Sequence, residues 1–129
     1  MNQQTQTLVR ECNDAWQAQD WATLAGCYHP SAILIPPDAG EPITGRDDII
    51  ATYQEFMEVA IIDAFQITEL TSYDFASTHL VHMRFVVEYQ LDGQTLKDAG
   101  LEVYAIDLAE TPAIVWRSQS ITDQLVLAG

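Results

Sequence analysis

The side chains equipped for chemistry in this sequence are mainly carboxylates, tyrosines and one arginine late in the chain. Glu102 stands in Gly100-Leu101-Glu102-Val103-Tyr104, a strand-like stretch one side of which must be buried, so its direction decides its role. Pointing inward, it would be desolvated; that raises a carboxyl pKa and makes a proton donor at neutral pH. Pointing outward, it is surface charge. Gly100 is a natural place for a bulge that resets the alternation, which leaves both directions open. Arg117 follows Trp116 in the last strand-like segment, where it could neutralise Glu102 or hold an anionic ligand.

Trp16, Tyr28, Tyr53, Phe56, Met83, Phe85 and Tyr104 form a second set, which could line an aromatic cavity or simply close a core. The tyrosines need hydroxyl partners, so Trp16, Tyr28 and Tyr53 are the first candidates for touching a ligand. His79 and His82 are three residues apart on a strand, which sends them to opposite faces, and no metal site is expected. Cys12 and Cys27 lie in helical patterns without a CxxC or a histidine cluster; they read as small apolar fillers, with a disulfide or a reactive thiol as alternatives. His29 precedes Pro30 at a helix end, where a protonated imidazole would meet the negative pole. Asp38 and Glu41 sit in a proline-rich loop and could carry charge to a pocket mouth. Gly-rich phosphate loops, Walker patterns and a Ser-His-Asp order are missing, so no cofactor is expected.

Composition narrows the classes. The 129 residues carry 5 Lys+Arg against 19 Asp+Glu, a formal charge of −14, with 48% of residues apolar. That length suits one domain with its own core. Such a charge repels phosphate backbones and anionic lipid, and the basic residues Arg10, Arg46, Arg84, Lys97 and Arg117 are scattered, so neither nucleic acid nor a membrane is an expected partner. The first residues lack a basic start and an apolar stretch, and no apolar run approaches a membrane span, so a cytoplasmic protein is expected.

The elements that would position these residues follow from periodicity. Leu8, Val9, Cys12, Ala15 and Trp16 recur at helical spacing, with Arg10, Glu11, Asn13, Asp14 and Gln17 on the other side. Asp20 is placed to cap a short second helix carrying Leu24, Cys27 and Tyr28, which must stop by His29 because Pro30 follows. A strand at 32–35 and a loop at 36–42 come next. Thr44 with Asp47 forms a weak capping box for a third helix bearing Ile49, Ile50, Tyr53, Phe56 and Met57. From Ile61 onward, four long antiparallel strands are expected, broken at Ser72-Tyr73-Asp74, at Asp92-Gly93 and at Ala109-Glu110-Thr111-Pro112. Val81, Met83, Phe85, Val87 and Tyr89 make one face apolar against His82, Arg84, Val86 and Glu88. Strands of about fifteen residues exceed the usual five or six, so the sheet should twist into a half-barrel.

The order α-α-β-α followed by four antiparallel strands resembles the nuclear transport factor 2-like superfamily, which includes ketosteroid isomerases, SnoaL-like cyclases and scytalone dehydratase. The stretch from Trp16 to Tyr53, with W-x-A-x-D-W-x-x-L-x-x-C-Y-H-P-x-A-x-L-x-P-P and then G-E-P-I-T-G-R-D-D-I, looks like the N-terminal signature of its small bacterial members. The resemblance implies an α+β cone, a curved and mainly antiparallel sheet with three N-terminal helices packed on it, spanning residues 1–129 as one domain. Laid on the ketosteroid isomerase pattern, the general-base aspartate falls at Pro36, which cannot accept a proton, and the oxyanion-hole tyrosine at Cys12, a poor donor. The isomerase's buried carboxylic acid, held neutral so that it can donate a hydrogen bond, falls near Glu102 if two residues are inserted in the Asp92-Gly93 hairpin. Its supporting helical tyrosine corresponds to Tyr53. Related epoxide hydrolases and cyclases carry a Trp-Arg pair with a carboxylate soon after; here Ser118-Gln119-Ser120 occupies that stretch.

The expectation is therefore a homodimer paired through the outer sheet face near Val86 and Trp116, binding a hydrophobic small molecule in an apolar aromatic pocket. Any chemistry would be cofactor-free isomerisation, dehydration or cyclisation, with Glu102 and Tyr53 as the catalytic pair and steroid isomerisation disfavoured. Trp16, Tyr28, Phe56, Met83, Phe85, Tyr104 and Arg117 would be the binding residues. A non-catalytic association module and a metal- or thiol-dependent enzyme are the alternatives.

Overall fold

The computed structural model describes residues 3–38 and 40–129. Helix α1 (Gln3–Ala18) buries Val9, Cys12, Ala15 and Trp16, the stripe expected from their spacing. Asn13 joins them and is only 1% exposed, against the expectation that it faces water. The reason is that its amide finds four polar partners in the interior, as described below. Helix α2 (Trp21–Gly26) is capped as expected: Asp20 accepts hydrogen bonds from the Thr23 backbone N–H (3.2 Å) and hydroxyl (2.7 Å).

Two boundaries differ from expectation. Tyr28 and His29 belong to strand β1 (Tyr28–Ile35) and not to the helix. Pro30 has no N–H to contribute to a ladder, and the pairing of β1 shifts register between Tyr28 and Ile33 around it. His29 therefore caps no helix; its Nδ1 accepts from the Ser31 N–H at 3.0 Å. A short strand β2 (Ile43–Thr44) pairs with Ile33 and Leu34. Thr44 is thereby committed to the sheet, and the cap of α3 (Arg46–Val59) is Gly45 at φ 95°, with no side-chain cap hydrogen bond. Asp47 and Asp48 in the first turn face the positive pole instead.

The long strands β3 (Ala60–Phe75), β4 (Thr78–Leu91), β5 (Gln94–Asp107) and β6 (Ala113–Ala128) follow. Ser72-Tyr73-Asp74 does not turn; these residues pair with Val81, Leu80 and His79, and the chain reverses at Ala76 (φ 49°) and Ser77. The Asp92-Gly93 reversal stands where expected, with positive φ at both residues. The order is β2-β1-β6-β5-β4-β3, antiparallel throughout except where β1 lies parallel to β6. The sheet is curved and not closed.

Its curvature has a local cause. β5 keeps strict alternation, while the partner ladder skips Val115, Thr122 and Leu127 on β6, so the extra residues sit on β6 and bend it. Gly100 is thus not a bulge in its own strand. It is glycine because a Cβ there would come within 2.5 Å of the Ser120 carbonyl oxygen and 2.7 Å of Phe85 Cζ. The apolar face of β4 is buried as expected, from Val81 to Tyr89, and α1 and α3 pack over it.

Candidate functional site

The helices do not fill the trough. A cavity of about 300 Å³ remains beneath them. Its walls are mainly aromatic: α1 contributes Trp16, α3 contributes Tyr53 and Phe56, and β4 contributes Phe85 and Tyr89 with the aliphatic Val87 between them. Trp16 and Tyr53 lie 5.8 Å apart, Phe56 and Tyr89 5.9 Å, so the rings brace one another. Pro36 and Pro37 border the cavity from the loop after β1. Asp38 and Glu41 do not; both are exposed, and Asp38 Oδ1 accepts from the Gly40 N–H in a local turn.

Four charged or amide side chains reach this cavity, Asp98 and Glu102 from β5 and Arg117 and Gln119 from β6, besides Thr52 of α3. Glu102 points inward and is 3% exposed. Its Oε1 accepts from Arg117 Nη2 at 2.7 Å, from Arg117 Nε at 3.1 Å and from the Tyr104 hydroxyl. Its Oε2 accepts from Gln119 at 2.6 Å. Every neighbour donates, an arrangement suited to a carboxylate, and the guanidinium supplies the counter-charge that a lone buried acid lacks. Of the inward-pointing alternatives, the one in which Arg117 neutralises Glu102 is found, and the side chain is half of an ion pair.

Arg117, 1% exposed, is consumed by the protein. Besides Glu102, it donates from Nη1 to the Tyr28 hydroxyl (2.8 Å) and Cys12 Sγ (3.2 Å), and from Nη2 to Asn13 Oδ1 (3.0 Å). Those contacts account for the five N–H groups of a guanidinium. Of the two roles expected for Arg117, it neutralises Glu102 and keeps no donor for an anion. The rings of Tyr104 and Tyr53 flank it at 4.9 and 5.2 Å. Burial lowers its pKa, but Glu102 together with Tyr104, Tyr28 and Tyr53 outweighs that and holds it well above the ordinary arginine value.

Behind this pair lies a sealed layer. Tyr28, Met83 and Tyr104 are buried there and do not line the cavity. Asn13 knits the layer together: it donates to the Tyr104 hydroxyl (3.0 Å) and the Val9 carbonyl (2.8 Å), and accepts from Trp16 Nε1 (3.0 Å) and Arg117. Burial raises the pKa of Tyr28, Tyr53 and Tyr104, so these hydroxyls stay neutral. For Cys12, burial raises the thiol pKa, but its contact with Cys27 and the charge of Arg117 prevail and bring it down to about 7. Cys27 is pushed up by the same contact and by burial. Both thiols are free and buried, and neither borders the cavity, which weighs against a thiol enzyme.

Among the described residues no three His, Cys, Asp or Glu side chains gather as a metal site requires. His79 faces the interior and contacts Asp74, while His82 lies on the other face of β4. No helix of the described residues is long and apolar enough to cross a membrane.

Sequence reading missed Asn13, Gln119 and Asp98. Gln119 bridges the Tyr53 hydroxyl (3.1 Å) and Glu102. Asp98, 6% exposed, accepts from the Tyr89 hydroxyl (2.8 Å) and Gln124 (2.7 Å). Tyr89 is in turn pushed up to about 12 by burial and by that bond. The signal for Asp98 was available: it stands four residues before Glu102, so unbroken alternation puts both on one face.

An open, strongly curved sheet roofed by three helices, with its polar groups on one inner wall, defines a cone-shaped α+β half-barrel of the cystatin-like kind. The sequence model of SnoaL-like domains matches residues 9–111, and the chain belongs to that family within the nuclear transport factor 2-like superfamily. Similar solved structures include a ketosteroid isomerase-like protein from Erwinia carotovora atroseptica (15% identity, 92% of this chain and 93% of that one, TM-score 0.77). A nuclear transport factor 2-like protein from Cytophaga hutchinsonii is also similar (18%, 94% and 99%, 0.77), as is a protein with a cystatin-like fold from Caulobacter vibrioides (15%, 92% and 87%, 0.79). At these identities the likeness is one of fold. No curated protein matches the sequence.

Proposed function

We propose that this protein binds a hydrophobic small molecule in the aromatic cavity, and that its chemistry, where it has any, is cofactor-free proton transfer of the isomerase, dehydratase or cyclase kind. The observation that supports this reading is the cavity of about 300 Å³ whose inner wall carries a buried but paired carboxylate. Its volume is at the small end of small-molecule sites, roughly 300–1,000 Å³. Glu102 Oε2 accepts one hydrogen bond, from Gln119, and so retains capacity to take a proton; Tyr53, on the same wall system, orients the substrate. Loss of any measured turnover in Glu102→Gln is the test of that role. Steroid isomerisation remains disfavoured, since Pro36 reaches the cavity with nothing to titrate and Cys12 lies behind Arg117.

The binding reading is tested by calorimetric titration with naphthylmethanol, a neutral aromatic probe. Wild-type protein is expected to bind one probe per chain, and Val87→Trp, which places an indole in the cavity, to bind it about tenfold or more weakly. Equal binding by both proteins would put the probe elsewhere and overturn the reading.

We further propose a homodimer joined across the outer sheet face, in the cytoplasm. Val86, Leu101, Val103 and Trp116 occupy that face along a diagonal across β4, β5 and β6, and Trp116 is 40% exposed. Sedimentation equilibrium should give twice the chain mass for wild type and the single mass for Trp116→Glu; a wild-type monomer refutes the pairing.

A further inference from the structure

The polar groups of the cavity are unevenly satisfied, and that unevenness selects a ligand. Among the guanidinium and amide donors nothing is free: Arg117 spends its N–H groups on Glu102, Tyr28, Cys12 and Asn13, and Gln119 spends its NH2 on Tyr53 and Glu102. On the acceptor side Glu102 is balanced by Arg117, but Asp98 is not balanced. It is 94% buried by its 6% exposure, its two partners Tyr89 and Gln124 are neutral, and among the described residues no Lys, Arg or His ion pair reaches it. A carboxylate offers about four lone-pair sites, of which two are used here.

A buried carboxylate without a counter-ion is costly, and a ligand that brings one recovers part of that cost. Aromatic rings on the same cavity wall, among them Tyr89 and Phe56, favour a cation over an anion by their electron-rich faces. The net charge of −14 adds a field of the same sign. We infer that the cavity takes an organic ammonium: a one- or two-ring apolar body among Trp16, Tyr53, Phe56 and Phe85, with its protonated amine against Asp98. This deepens the binding reading above and rests on it.

Three isosteric probes separate the two. At neutral pH, naphthylmethylamine is a cation, naphthylmethanol is neutral and naphthoate is an anion. Calorimetry on the wild-type protein should rank them in that order, with the amine about tenfold or more tighter than the alcohol. Asp98→Asn, which keeps an oxygen for Tyr89 and Gln124, should remove the amine's advantage and leave the alcohol within about threefold of wild type. Alcohol or naphthoate binding as tightly as the amine overturns the ammonium assignment while the cavity reading stands. Amine preference that survives either Asp98→Asn or Val87→Trp also overturns it, because the cation is then held by the acidic surface. Failure of all three probes to bind removes the cavity reading itself.

Discussion

Arg117→Met should cost about 3–5 kcal/mol of folding free energy, measured as a shift in the urea unfolding curve with unchanged slope. The substitution keeps the volume of the stem but strands Glu102 as an uncompensated charge, and it withdraws donors from Tyr28 and Asn13. Set against the roughly 5–15 kcal/mol typical of small domains, that is a large share of the total stability. The double variant Arg117→Met, Glu102→Met should recover much of the loss, because replacing both halves of a buried pair is often near neutral. A single variant within about 1 kcal/mol of wild type would show that the pair is not the keystone of the inner wall. By contrast, the surface contacts Arg84–Glu69 (3.7 Å) and Lys97–Glu88 (3.9 Å) are half exposed and should contribute little each.

Alkaline pH should unfold this protein cooperatively. Burial holds Tyr28, Tyr53 and Tyr104 above the ordinary tyrosine range, so each remains neutral when its unfolded counterpart has ionised. For an acid with a raised folded pKa, stability is intact below the unfolded value, near 10, and is lost as pH rises beyond it. At about pH 11 the loss is roughly 1.4 kcal/mol per tyrosine, or about 4 kcal/mol for the three. Cys27, also raised, acts in the same direction from the ordinary thiol range upward. Cys12 acts oppositely: with its pKa lowered to about 7, its stabilisation is present above the ordinary thiol value and fades as pH falls through 7. The tyrosinate absorbance of these three hydroxyls should therefore rise in the same step as the loss of circular dichroism. Ionisation of these three hydroxyls before any unfolding would sink the claim that burial keeps them neutral in the folded protein.

Residue spacing alone specified the elements. A 3.6-residue stripe from Val9 to Trp16 and a two-residue alternation from Val81 to Tyr89 are properties of neighbours along the chain, because each period is set by local backbone geometry. The Asp92-Gly93 reversal is equally local, needing only two residues that tolerate positive φ. These cues carried the reading as far as a curved sheet roofed by helices, with Glu102 and Tyr53 among its candidates.

Tertiary structure decided the rest, because it depends on which distant groups meet. Asn13 looked like a surface residue since helix periodicity counts hydrophobicity, and an amide that satisfies itself against Trp16, Tyr104 and Arg117 gives no such signal. Whether Glu102 is a lone acid or half of an ion pair turned on β6 lying beside β5 in a register that sets Arg117 opposite Tyr104, two residues along the same face. Asp98 lost any counter-ion by the same register, which put neutral Gln124 opposite it. Strand periodicity tells which residues share a face, but the charge that each buried group encounters is set by the neighbouring strand, and that neighbour is chosen by the packing of the whole sheet.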